Sequence, residues 1–286
     1  MRKILLPVIV LAIVLPSLFY TYGCTETKAP KKDSVPMTSV DSDSVAEDSS
    51  ESIISSTPMP KAADELFDDF VFNFAANKKL QYKRIVFPLK LYSNGVLKKE
   101  IGSSSWKMEH FFMRQDYYTV ILDNSRQSRL VKDTTIKDVI IEKIYLDRKT
   151  VRQYIFKRLD GKWMMTAINN KPMSKNKNAS FLKFYKKFAN DSAYQNSHIY
   201  SPLKFSGPDP DDDFSTMHGD LMPEQWPAFS SQVVLPKHMI YNILYGQKYT
   251  ESSTKLFFIR GISNGLEQDL TFRRINGVWY LTKLNI

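Results

Sequence analysis

Asp209, Asp211 and Asp213 stand at positions one, three and five of the stretch DPDDDFSTMHGD, and Asp220 stands at position twelve. Carboxylates at that spacing are how a twelve-residue loop wraps oxygen ligands around calcium. Two positions depart from such a loop. Phe214 replaces the glycine of the sharp turn, and Asp220 replaces the longer bidentate Glu. Helix signals of the right length do not flank it. Calcium at Asp209, Asp211, Asp213 and Asp220 is therefore one expectation. The other is an exposed acidic connection into a short helix at MPEQW, with Pro223 in its first turn. The four histidines, His110, His198, His218 and His238, lack the spacing of a zinc pair. No nucleophile elbow, phosphate loop or dinucleotide fingerprint occurs. His198 reads as a packed or capping histidine. Asp68 and Asp69 are adjacent on a helix, so both are expected on a solvated face. No acid–base set converges, and no catalytic residue is assigned.

The single cysteine, Cys24, follows MRKILLPVIVLAIVLPSLFYTYG. Arg2 and Lys3, an apolar run and a small residue before the cut form a secretory signal over residues 1–23. A lone cysteine at that place resembles a bacterial lipoprotein processing site. The resemblance implies cleavage before Cys24 and a lipid on Cys24, whose several acyl chains suffice for stable anchoring. With that thiol consumed, disulfides and cysteine catalysis are excluded. Residues 24–61 are rich in Ser, Thr, Asp, Glu and Pro and lack aromatics. Such a segment cannot offset its chain entropy by burial and reads as a disordered tether. Ser34 and Ser44, each in a DSV triplet, resemble acceptors of protein O-glycosylation in the Bacteroidetes. The chain of 286 residues carries a net charge of +10, and the tether holds more acid than base. The basic character therefore belongs to the folded remainder.

That remainder spells one pattern twice. FKRLDGKWMMTAIN and FRRINGVWYLTKLN centre on Asp-Gly and Asn-Gly, the strongest short signals for a two-residue hairpin turn. The turn places Arg158 opposite Trp163 and Phe156 opposite Met165. In the second copy Arg274 faces Trp279 and Phe272 faces Leu281. These Arg–Trp pairs read as welds of the hairpin, by cross-strand packing and cation–π attraction. Upstream, LFDDFVFNFAANKKLQYKRIVFPLKL at 66–91 matches SFLKFYKKFANDSAYQNSHIYSPLKF at 180–205. Phe67, Phe70 and Phe74 answer Phe181, Phe184 and Phe188, spaced for one helical stripe. Trp106 and Trp226 sit mid-repeat, and strands such as YYTVIL, VIIEKIYL and KLFFIRGI follow. A helix laid on a curved antiparallel sheet buries both apolar faces.

The lipoprotein-type start, FVFNFAANKKLQYKRIVFPLKLY, PDPDDDFS and the paired GKW and GVW hairpins together resemble an uncharacterised Bacteroidetes lipoprotein family. That family is built from tandem cystatin-like, or nuclear-transport-factor-two-like, domains. The resemblance covers about residues 62–286 and implies an α+β fold, with one repeat over 62–172 and another over 173–286. It implies no activity, catalytic motif or ligand. The expected role is a non-catalytic binding or scaffold lipoprotein without a cofactor. The alternatives are a hydrolase of cell-wall or glycan material with a polar pocket in one cone, and a docking subunit of an envelope complex. Basic groups at Lys78–Lys79, Lys83–Arg84, Lys171, Lys175, Lys177 and Lys186–Lys187 suit an anionic envelope polymer. Nucleic acid is not expected, since no reading motif appears. Thr25 after Cys24, by resemblance to lipoprotein sorting, implies an outer-membrane protein facing the periplasm.

Overall fold

Each aromatic stripe becomes a helix with one buried face. In the computed structural model, which describes residues 64–209, 211–249 and 252–286 (Asp213 by its backbone only), α1 spans Phe67–Ala76 and α2 spans Lys78–Arg84. Phe67, Phe70 and Phe74 are all buried. Asn77 separates the two helices and caps the second, accepting from Leu80 N–H at 3.0 Å. The second repeat copies this with α3, Ala179–Asn190, and α4, Ser192–Ser197, where Asp191 accepts from Tyr194 N–H at 2.9 Å. Two tryptophans are held alike. Trp106 Nε1 donates to Gln81 at 3.2 Å, and Trp226 Nε1 donates to Gln195 at 3.1 Å.

Strands follow each helix pair. The first half supplies β1 (Ile85–Ser93), β2 (Val96–Ile101), β3 (Tyr117–Leu122), β4 (Asp138–Tyr145), β5 (Thr150–Leu159) and β6 (Lys162–Pro172). The second supplies β7 (Ile199–Asp209), β8 (Asp212–Leu221), β9 (Met239–Leu244), β10 (Thr254–Gly261), β11 (Glu267–Ile275) and β12 (Val278–Asn285), with the short helix α5, Trp226–Phe229, before β9. In the β5–β6 hairpin Arg158 pairs with Trp163 and Phe156 with Met165, and Asp160 and Gly161 have φ of 49° and 77°. In the β11–β12 hairpin Arg274 pairs with Trp279 and Phe272 with Leu281, with φ of 50° and 83° at Asn276 and Gly277. Positive φ at both central residues is the turn whose twist matches the flanking strands.

All twelve strands form one sheet in the order β2-β1-β6-β5-β4-β9-β3-β10-β11-β12-β7-β8. Matching β1–β6 to β7–β12, the order reads the same from either edge. At its centre the halves exchange a strand: β9 lies against β4, and β3 lies against β10. The sheet is mixed where antiparallel pairing was expected throughout. β1 runs parallel to β6, β12 parallel to β7, and the central pair β3 and β9 is parallel as well.

Two cores result. Val120 and Leu122 of β3 belong to the core under α1, and Ile121 between them belongs to the core under α3. Alternate residues of a strand face opposite sides, so the cores lie on opposite faces of the central sheet. This explains why β3 and β9 are apolar runs buried on both faces. Both helix-to-sheet interiors are filled with the protein's own rings. Phe67 and Phe74 meet Phe156 edge-on at 5.2 and 5.4 Å, and Phe181 and Phe188 meet Phe272 at 5.2 and 5.4 Å. Asp68 departs from its expected solvated position. Its carboxyl turns inward to accept from the Tyr245 hydroxyl at 2.6 Å, while Asp69 stays exposed. The helix lies across the exchanged strands, so its flank as well as its base meets protein.

Candidate functional site

The exchanged strands β3 and β9 share one backbone pairing, Thr119 with Asn242. Side chains complete the seam. Asn242 Oδ1 accepts from Ile121 N–H at 2.9 Å, and Thr119 donates to the Tyr241 carbonyl at 3.1 Å. The Tyr249 hydroxyl donates to the Ile121 carbonyl at 2.8 Å. A buried polar group without a partner is costly, so the seam demands these contacts.

Behind Asn242 lies Glu142, only 1% exposed although charged. Gln153 and Asn176 each donate an amide N–H to Oε1 at 2.9 Å, and Asn242 donates to Oε2 at 3.4 Å. Lys171 Nζ is 3.9 Å from the carboxylate. Burial lowers the Lys171 pKa against the opposing pull of Glu142, and the charge of Lys177 adds to the lowering. Glu142, Gln153, Lys171, Asn176, Gln247 and Tyr249 line a cavity of about 260 Å³. Gln247 Oε1 is buried there with no hydrogen-bond partner among the described residues. The walls thus offer a fixed carboxylate, an open amide oxygen and an ammonium. That set can grip a small polar molecule with donors of its own.

A second acid, Glu109, sits at the rim of the first core. Tyr154 donates to it at 2.5 Å, and Lys143 lies 3.2 Å away. Burial pushes the Glu109 carboxyl up, but the Tyr154 hydrogen bond and the Lys143 charge together hold it below its usual range. Burial and the Glu109 charge push the Tyr154 phenol far above its ordinary value. A phenol held protonated and donating is a tie between strands, not a base.

The residues singled out by sequence lie apart from the seam cavity. The Arg158 guanidinium sits 5.2 Å from the Trp163 ring, and that of Arg274 sits 5.6 Å from the Trp279 ring. Arg158 also donates to the Thr134 and Glu65 carbonyls at 2.5 and 2.7 Å, and to the Asp64 carbonyl. The acidic stretch forms the β7–β8 hairpin. Asp209 and Asp211 are at its turn, and Asp220 is far along β8, held by Lys204 at 2.8 and 3.0 Å. Among the described residues no group of three or more His, Cys, Asp or Glu is arranged to hold a metal ion. Cys24, Ser34, Ser44, the signal and the tether lie outside the described residues. His198 packs as a capping residue, its Nδ1 2.8 Å from the Tyr194 carbonyl and its ring stacked on Tyr194. The sequence reading passed over Glu142. Its signal was a lone acid inside the apolar strand VIIEKIYL.

The comparisons with known proteins agree on the fold. Residues 46–286 match a family model described as a domain of unknown function (DUF4348). The chain is similar to the crystal structure of an NTF2-like protein from Bacteroides fragilis. The two are 40% identical with a TM-score of 0.72, over 80% of this chain and 98% of that one. No curated protein matches.

Proposed function

The chain belongs to the DUF4348 family, a domain of unknown function with a nuclear-transport-factor-two-like α+β fold, and from that premise we propose that it is a non-catalytic binding lipoprotein of the cell envelope. The observation that carries the reading is the seam cavity. Its carboxylate, Glu142, has its oxygens engaged by three amides and is a fixed anchor rather than a group free to move protons. The aromatic filling of both helix-to-sheet interiors favours the seam over the cones as the binding place. The ligand of the seam is a small molecule that presents hydroxyl, amide or ammonium donors, such as a sugar or a peptide amine. The protein is anchored through lipid on Cys24 in the outer membrane and faces the periplasm, a reading supported by the leader and by Thr25. Glycans on Ser34 and Ser44 belong to the same proposal as a subsidiary element.

A thermal-midpoint screen tests the binding reading, because only ligands of the native state raise the midpoint. The panel holds muropeptides, lipid A fragments, host-type glycans, calcium and EDTA. A concentration-dependent rise with a hydroxyl- or amine-bearing compound that Glu142→Gln abolishes is the expected result. Turnover of any panel compound that disappears with one Asp or Glu substitution would replace the proposal with a hydrolase. Labelled palmitate incorporated into the wild type but not into Cys24→Ala, together with protection from protease on whole cells, tests the anchor and its orientation.

A further inference from the structure

Lys143, Arg152, Asn170 and Ser93 stand opposite one another on four neighbouring strands, β4, β5, β6 and β1. Lysine and arginine in direct opposition repel, so a sheet that keeps them needs counter-charge. Lys143 has it. Its ammonium lies 3.2 Å from Glu109, whose carboxylate also accepts from Tyr154 and Tyr241. Arg152 does not. Its guanidinium sits 5.4 Å from the Tyr154 ring, and its Nε is buried with no hydrogen-bond partner among the described residues.

A second guanidinium joins it. Arg148, in the β4–β5 turn, lies 5.4 Å from the ring of Tyr145, which shares the face of Lys143 two residues along β4. Asp147 beside it is taken by His238 at 2.8 Å and Lys186 at 3.4 Å. The two arginines, with Ser93, Asn94, Tyr145 and Asn170, line a cleft of about 570 Å³, and no Asp or Glu is among its walls. Lys171 borders the cleft too, but its ammonium is 3.9 Å from Glu142 of the seam. The second half has no such place. Counting back from the matched Arg158 and Arg274, Arg152 answers to Gln268. That amide is satisfied within the chain, accepting from Val234 N–H at 2.9 Å and donating to the Gln232 carbonyl at 3.2 Å.

We infer that this cleft binds the phosphate group of a phosphate monoester. Two guanidiniums match a dianion, and the planar fork of each takes two oxygens. Asn94, Asn170 and Ser93 supply neutral donors at the same rim. The cleft is larger than a phosphate ion, which leaves room for the esterified group. The inference goes beyond the donor-rich ligand of the seam. Glu142 and Lys143 are consecutive on β4, so the two sites open on opposite faces of the sheet.

The test uses the full chain in detergent, with thermal midpoints in sodium phosphate and glycerol phosphate against sodium chloride and sodium acetate of equal ionic strength. Flotation with phosphatidylcholine vesicles, with and without phosphatidate, separates a lipid headgroup from a soluble ester. Expected is a saturable rise with the phosphates beyond chloride and acetate, or flotation that requires phosphatidate. Arg152→Gln should shift the half-effect concentration upward by about ten-fold or more. Arg148→Gln, at an exposed position, should weaken the response several-fold and leave the ligand-free midpoint unchanged. Glu142→Gln should leave the response in place, which separates this site from the seam. Equal midpoints in phosphate, acetate and chloride without vesicle binding would overturn the inference, as would a response that survives intact in Arg148→Gln and Arg152→Gln.

Discussion

Asp68 makes the stability of this protein depend on pH with an unusual sign. Burial, reinforced by the charge of Asp69, raises its carboxyl to about 6 from 3.8, although the Tyr245 hydrogen bond pulls the other way. The folded state therefore holds a proton that the unfolded chain releases between those values. Stability falls as pH rises wherever the native state binds more protons. The contribution is full below 3.8 and lost as pH passes 6. At 1.36 kcal/mol per pH unit the shift corresponds to about 3 kcal/mol. Since the residue is half-buried, about 2–3 kcal/mol is the expected range. Asp68→Asn keeps an oxygen for Tyr245 and removes the charge. Urea unfolding of both proteins at pH 4, 5, 6, 7 and 8 isolates the effect from the histidines, which are common to both. The two should be nearly equal at pH 4, and the variant should lead by about 2–3 kcal/mol at pH 8. A difference that does not change with pH, or a wild type that gains on the variant as pH rises, would refute the reasoning.

Other perturbations reach separate parts of the fold. Glu142→Ala leaves buried amides of Gln153, Asn176 and Asn242 facing no acceptor, and should lower the urea-derived stability by about 2–4 kcal/mol. Gln81→Ala and Gln195→Ala each orphan an indole N–H, at about 1–3 kcal/mol apiece. Because the two lie in different cores, the double variant should equal the sum of the single losses in the same assay. Gly161→Ala and Gly277→Ala meet no atom within 4 Å, so their loss is purely conformational, about 1–2 kcal/mol each by calorimetry.

Local chemistry explains what could be read in advance. The hairpins were legible because Asp-Gly and Asn-Gly need a particular turn, and the turn sets the register of every pair beyond it. The helices were legible because Phe67, Phe70 and Phe74 share one stripe. The exchange of β3 and β9 was not legible. YYTVIL and MIYNIL are equally apolar, and nothing in either names its neighbour. Each is apolar but for one residue, Thr119 or Asn242, a composition that suits a strand covered on both faces. Asp68 was misplaced because adjacent residues on a helix were judged against one core, whereas α1 meets the exchanged strands along its flank. The seam cavity needed β4, β9 and the turn after β6 brought together, and no spacing in the chain encodes that.

The exchanged centre also constrains how the chain acquires its structure during synthesis. β4 has its full complement of neighbours only when β9 arrives, about a hundred residues later. The first core includes Tyr241, Ile243 and Tyr245 from that late segment. Until they emerge, β4 presents an open apolar edge and α1 lacks part of the surface it covers. Contacts this distant in sequence carry a loop-closure penalty before they contribute. The two halves therefore mature together, and a nascent chain that ends near residue 172 holds an edge for a chaperone, not a finished unit.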